Sequence, residues 1–451
     1  MPLAVNLFTI LLGIVSISIV QSKKVISENN LEKLLFANVL FRHGDRTPLD
    51  PYPNDPYKNA SFWPVGFGQL TNVGKEQEYE LGHWLRQRYN TLLTDTYSED
   101  IVYVRSTDVD RTLMSAASNL AAIYPPKGSQ KWNPNLDWQP IPIHTMPEHL
   151  DSVLAGKKPC PAYDREMAKV LKSPEVQELN KKFADVYKVL NEHTGRKATI
   201  LKDIEYIYNT LYIESLNNFT LPVWTKSIYP EPMLEASKIQ FAMSTWTPKL
   251  ARLKTGLLVK EMINHLHKKS ENKAKPNRNM WIYSAHDSTI SALLNALGMF
   301  DLQIPGYASA VLMELWMDSQ GNHQVMMFYR NSSSHDPYVL TLPGCTAVCP
   351  LDKFLVLCET VVPQDWEREC QASSLFDMAP ALPYQDISAT ALVTSSLLIV
   401  LLLLSAALYW QRSRRRTHCR QYKRLTVMPW NYRKAGSKSG SRSGPIYTVQ
   451  P

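Results

Sequence analysis

Apolar and polar positions along this chain fall into short blocks with sharp ends. Residues 34–41 (LLFANVLF) form an apolar run stopped by a polar cluster, the mark of a buried strand. Residues 101–105 (IVYVR) and 280–284 (MWIYS) repeat that pattern. Residues 310–317 and 323–329 alternate and predict a hairpin around Ser319-Gln320-Gly321. Between the strands the period changes. Residues 71–90 predict a helix with Thr71 as N-cap and Leu81, Trp84, Leu85 and Tyr89 on one apolar face. Further helices are predicted at 110–123 and 288–297, and the stretch from about 165 to 270 is helical throughout. Residues 48–68 and 125–161 are rich in loop formers, and no internal repeat is visible. Strands alternating with helices at both ends, with a helical block between, predict an α/β core with a mostly parallel or mixed central sheet flanked by helices, carrying a smaller, mostly helical insertion at about 145–270.

The two ends carry longer apolar runs. Residues 3–20 read as the apolar stretch of a signal peptide ending near position 22, although a basic leader is missing. Residues 387–410 are uncharged and mostly apolar, about the length a helix needs to cross a bilayer. Tyr409 and Trp410 suit the interface, and Arg412, Arg414, Arg415 and Arg416 follow, which puts the C-terminus in the cytosol. The expected organisation is a lumenal or extracellular domain at 23–386, a stalk-like end to it at 375–388, one transmembrane helix at 387–410 and a basic cytoplasmic tail at 411–451.

Charge changes meaning in that light. The 451-residue chain carries a formal +8, which taken alone suggests a nucleic-acid partner. Of 49 Lys and Arg, eleven lie in 411–451, which holds no Asp or Glu. The remainder has 38 basic against 41 acidic side chains, a net −3, so no nucleic-acid partner is expected. Five of six Cys lie in the domain, as secretory passage permits. Cys345 and Cys349 sit four apart across a turn begun by Pro343-Gly344, fit for a local bridge; zinc lacks further ligands at suitable spacing. One of Cys160, Cys358 and Cys370 is then left free or pairs between chains. Asn59, Asn218 and Asn331 open glycosylation sequons.

Polar clusters follow the three best strands: Arg42-His43-Gly44-Asp45-Arg46-Thr47, then Arg105 to Arg111, then His286-Asp287. Ligands of open α/β sheets bind off the carboxyl ends of the strands. If these strands are neighbours, one pocket collects Arg42, Arg46, Arg111, His43, His286 and Asp287. Three guanidiniums repel each other unless a multiply charged anion sits among them, and their forks match phosphate oxygens. A neutral imidazole is a nucleophile, and a nearby carboxyl is a general acid. The set describes phosphoryl transfer with Arg in place of metal, and no cofactor is expected. The bland readings are loops and caps: Arg111 pairing with Asp108 or Asp110, His286-Asp287 starting a helix. His265 and His267 read as solvated and His83 as packed, with Trp63, Trp84, Trp224 and Trp246 as core or pocket walls.

RHGDRTP at 42–48 resembles the RHGxRxP signature of the histidine acid phosphatases, a branch of the histidine phosphatase superfamily, and His286-Asp287 resembles its second signature. Residues 70–89, 104–126 and 343–354 are similar to vertebrate acid phosphatases of that family, the lysosomal type among them, and the resemblance runs over about 34–371. It implies an acid phosphatase hydrolysing small phosphomonoesters. His43 would be the nucleophile, Arg42, Arg46, Arg111 and His286 the phosphate binders, and Asp287 the acid. It implies a homodimer and pairing of Cys160 with Cys370 and of Cys345 with Cys349. A further disulfide of vertebrate members is missing, and Cys358 is extra.

In the tail, Tyr422-Lys423-Arg424-Leu425 fits the YxxΦ pattern that clathrin adaptors read, so Tyr422 and Leu425 are candidate sorting residues. Cys419 reads as a spectator thiol. The expected whole is a glycosylated type I membrane phosphatase of lysosome, endosome or cell surface, its specificity set by 48–68 and the insertion. The alternatives are a silent receptor or adhesion ectodomain on the same fold, and an inositol-polyphosphate phosphatase.

Overall fold

The computed structural model describes residues 31–371. Its strands are β1 (Leu31–Arg42), β2 (Val102–Ser106), β3 (Met280–Ala285), β4 (Ala310–Asp318), β5 (His323–Arg330), β6 (Tyr338–Leu340) and β7 (Cys349–Pro350). They join one sheet in the order β2-β3-β1-β4-β5-β6, with β7 also on β5. β2, β3 and β1 run parallel, and the β1–β4, β4–β5, β5–β6 and β5–β7 pairs are antiparallel. The predicted strands are all present, and the sheet is mixed but not mostly parallel, since four of its six strand pairs are antiparallel. β1 starts three residues earlier than its apolar run, because Leu31 and Lys33 pair with Asp318 and Met317 of β4, with Glu32 skipped at a register shift between them.

Successive side chains of β1 point to opposite faces. Phe36 and Leu40 join one apolar core, Ala37, Val39 and Phe41 the other. The first core is covered by α8 (Pro248–Ser270) and α9 (Asp287–Ala296), which contribute Leu258, Met262, Leu266, Ile290 and Leu293. The second is covered by α1 (Asn72–Arg88) and α2 (Asp110–Ile123) through Leu81, Leu85, Leu120 and Ile123. The Thr71 side chain caps α1 by accepting from the Gly74 N–H. A buried Glu314 on β4 accepts from Arg88 Nε and the Tyr89 hydroxyl, both at 2.8 Å, which ties the end of α1 to the sheet.

Between β2 and β3 lie α3 (Pro161–Leu171), α4 (Pro174–Lys182), α5 (Ala184–His193), α6 (Leu201–Leu216), α7 (Met233–Met243) and then α8. α4 to α7 close on an apolar cluster of their own, with Phe183, Leu190, Ile204, Leu211 and Met233, which draws no residue from any strand. After the sheet come α10 (Leu351–Cys358) and α11 (Trp366–Cys370). Cys160 bonds Cys370 across 210 residues, and Cys345 bonds Cys349. Cys358 is a buried free thiol, so the leftover cysteine is a core side chain. Asn59, Asn218 and Asn331 are exposed. Among the described residues no helix is long and apolar enough to cross a membrane; the candidate span at 387–410, the leader, the tail and Tyr422 lie outside them.

Two histidines depart from expectation. His265 is half-buried, its ring 3.9 Å from that of Trp281 and its Nδ1 3.1 Å from Asn38 Oδ1. Burial pushes its pKa down to about 3. The Lys-rich setting signals solvent on the far side of α8, yet this position faces the sheet. His83 is exposed, with the Tyr79 ring edge-on to it at 4.8 Å.

Buried carboxyls give the fold an acid preference. Glu78 on α1 is fully buried and neither carboxyl oxygen has a partner among the described residues. Burial raises its pKa well above 4.5. Glu214 on α6 is pushed up to about 9 by burial and by its neighbour Asp55. Such groups hold their proton more tightly folded than unfolded. The stability they carry is complete below the unfolded value of 4.5 and is lost as pH rises toward the folded value. Glu78→Gln is therefore expected to stabilise the protein at pH 7, by about 1–3 kcal/mol, and to change little at pH 4. Thermal unfolding at the two pH values checks this; an equal effect at both would mean that Glu78 is ionised in the fold.

Candidate active site

The three parallel strands are consecutive neighbours, so their carboxyl ends lie in a row. Arg42 is level with Ala285, and Ser106 with Ser284. Past these ends the chain stays stitched together: the His43 N–H donates to the Ala285 carbonyl at 3.0 Å and the Thr107 N–H to the Ser284 carbonyl at 3.1 Å. Arg111 lies in the first turn of α2, His286 is the N-cap of α9 and Asp287 opens that helix. The three sequence clusters therefore meet at one edge of the sheet.

The turn after β1 depends on two glycines. A Cβ on Gly44 would lie 2.2 Å from the Gly74 carbonyl oxygen, and one on Gly74 would lie 2.2 Å from that of Asp45. Only glycine at both positions lets the turn sit against the first turn of α1. Thr71 Oγ1 also donates to Asp45 Oδ2 at 2.6 Å, so the cap of α1 anchors the turn as well.

His43 is 1% exposed, Arg42 3% and Arg46 4%, so the cations are held out of water. Arg42 Nη2 pairs with Asp287 Oδ2 at 2.8 Å, and its guanidinium lies 4.2 Å over the Tyr307 ring. Arg46 Nη2 donates to Asn209 Oδ1 at 3.0 Å. The Nε atoms of Arg42, Arg46 and Arg111 are buried without an acceptor among the described residues. Arg46 and Arg111 line the cavity that opens here, while Arg42 lies behind it against Asp287, and such a cluster of guanidiniums fits an anion with several oxygens. Burial and the Arg46 charge press Arg111 down to about 10.

The hydrogen bonds fix the imidazole tautomers. His43 Nδ1 is 2.8 Å from the Gly44 carbonyl oxygen, which only accepts. Nδ1 therefore carries the proton and Nε2 the lone pair. Burial first, then Arg42, Arg111, His286 and Arg46, holds His43 well below its ordinary pKa, so that lone pair persists in acid. His286 Nδ1 faces Arg111 Nη2 at 3.5 Å and accepts, so its Nε2–H donates to Thr107 Oγ1 at 2.9 Å. Burial and Arg111 press His286 down to about 3. Burial alone would raise Asp287, but Arg42, Arg46 and His286 outweigh it and hold the carboxyl below 3.8.

A cavity of ≈390 Å³ opens over this group. Its inner wall holds His43, Arg46, Arg111, His286 and Asp287. Its outer wall includes Lys157, then Lys202, Glu205, Tyr206 and Asn209 from α6, and Gln240 and Phe241 from α7. None of these outer residues stands out in the sequence. The signal lay in the spacing 202, 205, 206, 209, a polar stripe on a helix whose other face holds Ile204, Ile207 and Leu211. Such a stripe ordinarily faces solvent, and here it faces the cavity. Among the described residues no group of three His, Cys, Asp or Glu side chains is placed to share a metal ion.

Fold and site together describe an α/β protein whose sheet edge gathers two histidines, three arginines and an aspartate around one cavity. The family model for the histidine phosphatase superfamily (branch 2) matches residues 33–339, and the chain belongs to that family. It is 42% identical over 348 residues to the prostatic acid phosphatase of Homo sapiens, covering 76% of this chain and 89% of that one. It is 38% identical over 385 residues to the lysosomal acid phosphatase of Xenopus laevis, covering 84% and 89%. The solved phytase of Citrobacter braakii shares the fold at 16% identity, with a TM-score of 0.57 over 76% of this chain and all of that one.

Proposed function

We propose that this chain is an acid phosphatase that hydrolyses small phosphate monoesters through a phosphohistidine. The observation that carries the reading is a neutral His43, its Nε2 lone pair free, set beside the buried guanidiniums of Arg42 and Arg46 and the half-buried one of Arg111. The relatives named acid phosphatases support it. Arg42, Arg46 and Arg111 hold the phosphoryl oxygens and spread the developing charge. His43 Nε2 attacks phosphorus, the ester oxygen leaves with a proton from Asp287, and water then frees the phosphate. His286 becomes a donor to the phosphoryl group only when protonated, which a bound dianion favours. Retention of His43 and Asp287 speaks against a silent ectodomain.

Activity is expected to peak at roughly pH 4–6, where the substrate monoanion is abundant and a carboxyl still carries a proton. EDTA is expected to leave turnover of p-nitrophenyl phosphate unchanged, since arginines supply the positive charge, while vanadate and tartrate compete for them. Steady-state rates with and without each reagent check both points. Activity lost to EDTA and restored by Zn²⁺ or Mg²⁺ would reject the mechanism.

The same proposal assigns 1–22 to a signal peptide, 23–386 to a lumenal domain with its helical insertion, 387–410 to a membrane anchor and 411–451 to a cytosolic tail. Glycans on Asn59, Asn218 and Asn331, a homodimer, and adaptor binding through Tyr422 and Leu425 complete it. The lysosomal relatives support a lysosomal address.

A further inference from the structure

The cavity holds a second carboxyl besides Asp287. Glu205 lies on α6 one turn before Asn209, whose side chain bonds Arg46, so its backbone is fixed relative to the arginine cluster. It forms no hydrogen bond or ion pair among the described residues, whereas Asp287 is pinned to Arg42. No packing or capping task accounts for it. Its surroundings supply charges of both signs. Asp287 opposes its ionisation, while Arg46, Arg42 and Lys202 favour it. Lys157, Arg111, Tyr206 and the neutral pair His43 and His286 complete the titratable lining. Burial dominates, with Asp287 second, and Glu205 is pushed up to about 7.

Two carboxyls in one cavity thus sit on opposite sides of the working pH. The one beside Arg42 is ionised in the open pocket, and an acid must be protonated to act. Paired groups driven apart in this way mark the division of acid and base roles. Resting on the phosphatase reading, we propose that Glu205 is the proton store of this site, re-protonating Asp287 for the release of poor leaving groups such as alkyl alcohols. When the substrate's phosphoryl group occupies the guanidiniums, Arg42 is drawn from Asp287, and Glu205 passes its proton to the Asp287 carboxylate. Asp287 gives that proton to the ester oxygen as the P–O bond breaks and the His43 Nε2–P bond forms. Water then attacks phosphorus as the His43 Nε2–P bond breaks and its electron pair returns to Nε2, the water's proton returns through Asp287 to Glu205, and phosphate leaves with His43 neutral again. Asp287 touches the leaving group; Glu205 acts through it.

The test uses the full-length protein in detergent, with kcat/KM followed from pH 4 to 8 on glycerol 2-phosphate and p-nitrophenyl phosphate. Glu205→Gln is expected to lose tenfold or more on glycerol 2-phosphate, within the about 10²–10⁴-fold range of general acid catalysis, and to slow the nitrophenyl ester far less. The alkaline limb with glycerol 2-phosphate should move down by about one pH unit or more. Glu205→Asp keeps a carboxyl and should recover part of that limb. A wild-type limb in Glu205→Gln, or equal slowing of both esters at every pH, would overturn the proposal alone. A wild-type protein without phosphatase activity would overturn the reading beneath it as well.

Discussion

Replacing His43 by Ala is expected to abolish turnover while the protein stays folded. The ring fills a buried space and touches His286 and Tyr307 only edge-on or tilted, at centroid distances of 5.6 and 6.1 Å, so its loss leaves a cavity and no stranded charge. No other side chain in the pocket replaces it. His286 turns Nε2 to Thr107 and Nδ1 to Arg111, so neither nitrogen presents a free lone pair to the cavity. Losing a nucleophile outright costs on the order of 10⁴–10⁶-fold in kcat, the scale known for other covalent enzymes. The guanidiniums remain, so vanadate should still bind the variant. Acid quench during wild-type turnover should trap a phosphoprotein that is labile to acid and stable to base, and His43→Ala should give none. A variant that turns over near the wild-type rate would end the phosphohistidine mechanism.

Much of this site was legible because its chemistry sits at strand ends. Buried strands announce themselves as short apolar runs, and the residue after each run is where a parallel sheet delivers its side chains. Neighbourhood of the three strands was an inference in the sequence and is a pairing in the structure, with Arg42 level with Ala285 and Ser106 with Ser284. The outer wall was not legible for the converse reason. Lys202, Glu205, Tyr206 and Asn209 form a polar stripe on an amphipathic helix, and the local pattern is the same whether that stripe meets water or a cavity. Only the tertiary placement of α6 decides, and one Arg46–Asn209 hydrogen bond records it. His265 shows the opposite error: a Lys-rich neighbourhood hid a position that packs on Trp281. β6 and β7 are three and two residues long, too short to carry any period, and exist because β5 offers them an edge.

Asp287→Asn is expected to separate proton donation from anion binding. The amide keeps the size and shape of the carboxyl and its place at the start of α9. It cannot give up a proton to a leaving oxygen. An alkyl phosphate needs that proton and should slow by about 10²–10⁴-fold, while p-nitrophenyl phosphate leaves as a stabilised phenolate and should slow far less. Anion affinity should move the other way. In the wild type the Asp287 carboxylate holds Arg42 at 2.8 Å and competes with the phosphoryl group for it. Removing that negative charge frees Arg42, so phosphate and vanadate should bind more tightly, by up to about tenfold given the several kcal/mol that close charges exchange in a partly buried site. The stability consequence has a definite sign. Asp287 is held below 3.8 in the fold, so its charge stabilises the protein above that pH and ceases to do so as pH falls through the lowered value. The Asn variant should thus be less stable than wild type at pH 7, and the gap should narrow as pH falls below 3.8. Product inhibition, the ratio of rates on the two esters and melting at the two pH values report these effects independently. Equal slowing of both esters with unchanged phosphate affinity would mean that Asp287 neither donates a proton nor restrains Arg42, and that its role is only to begin α9.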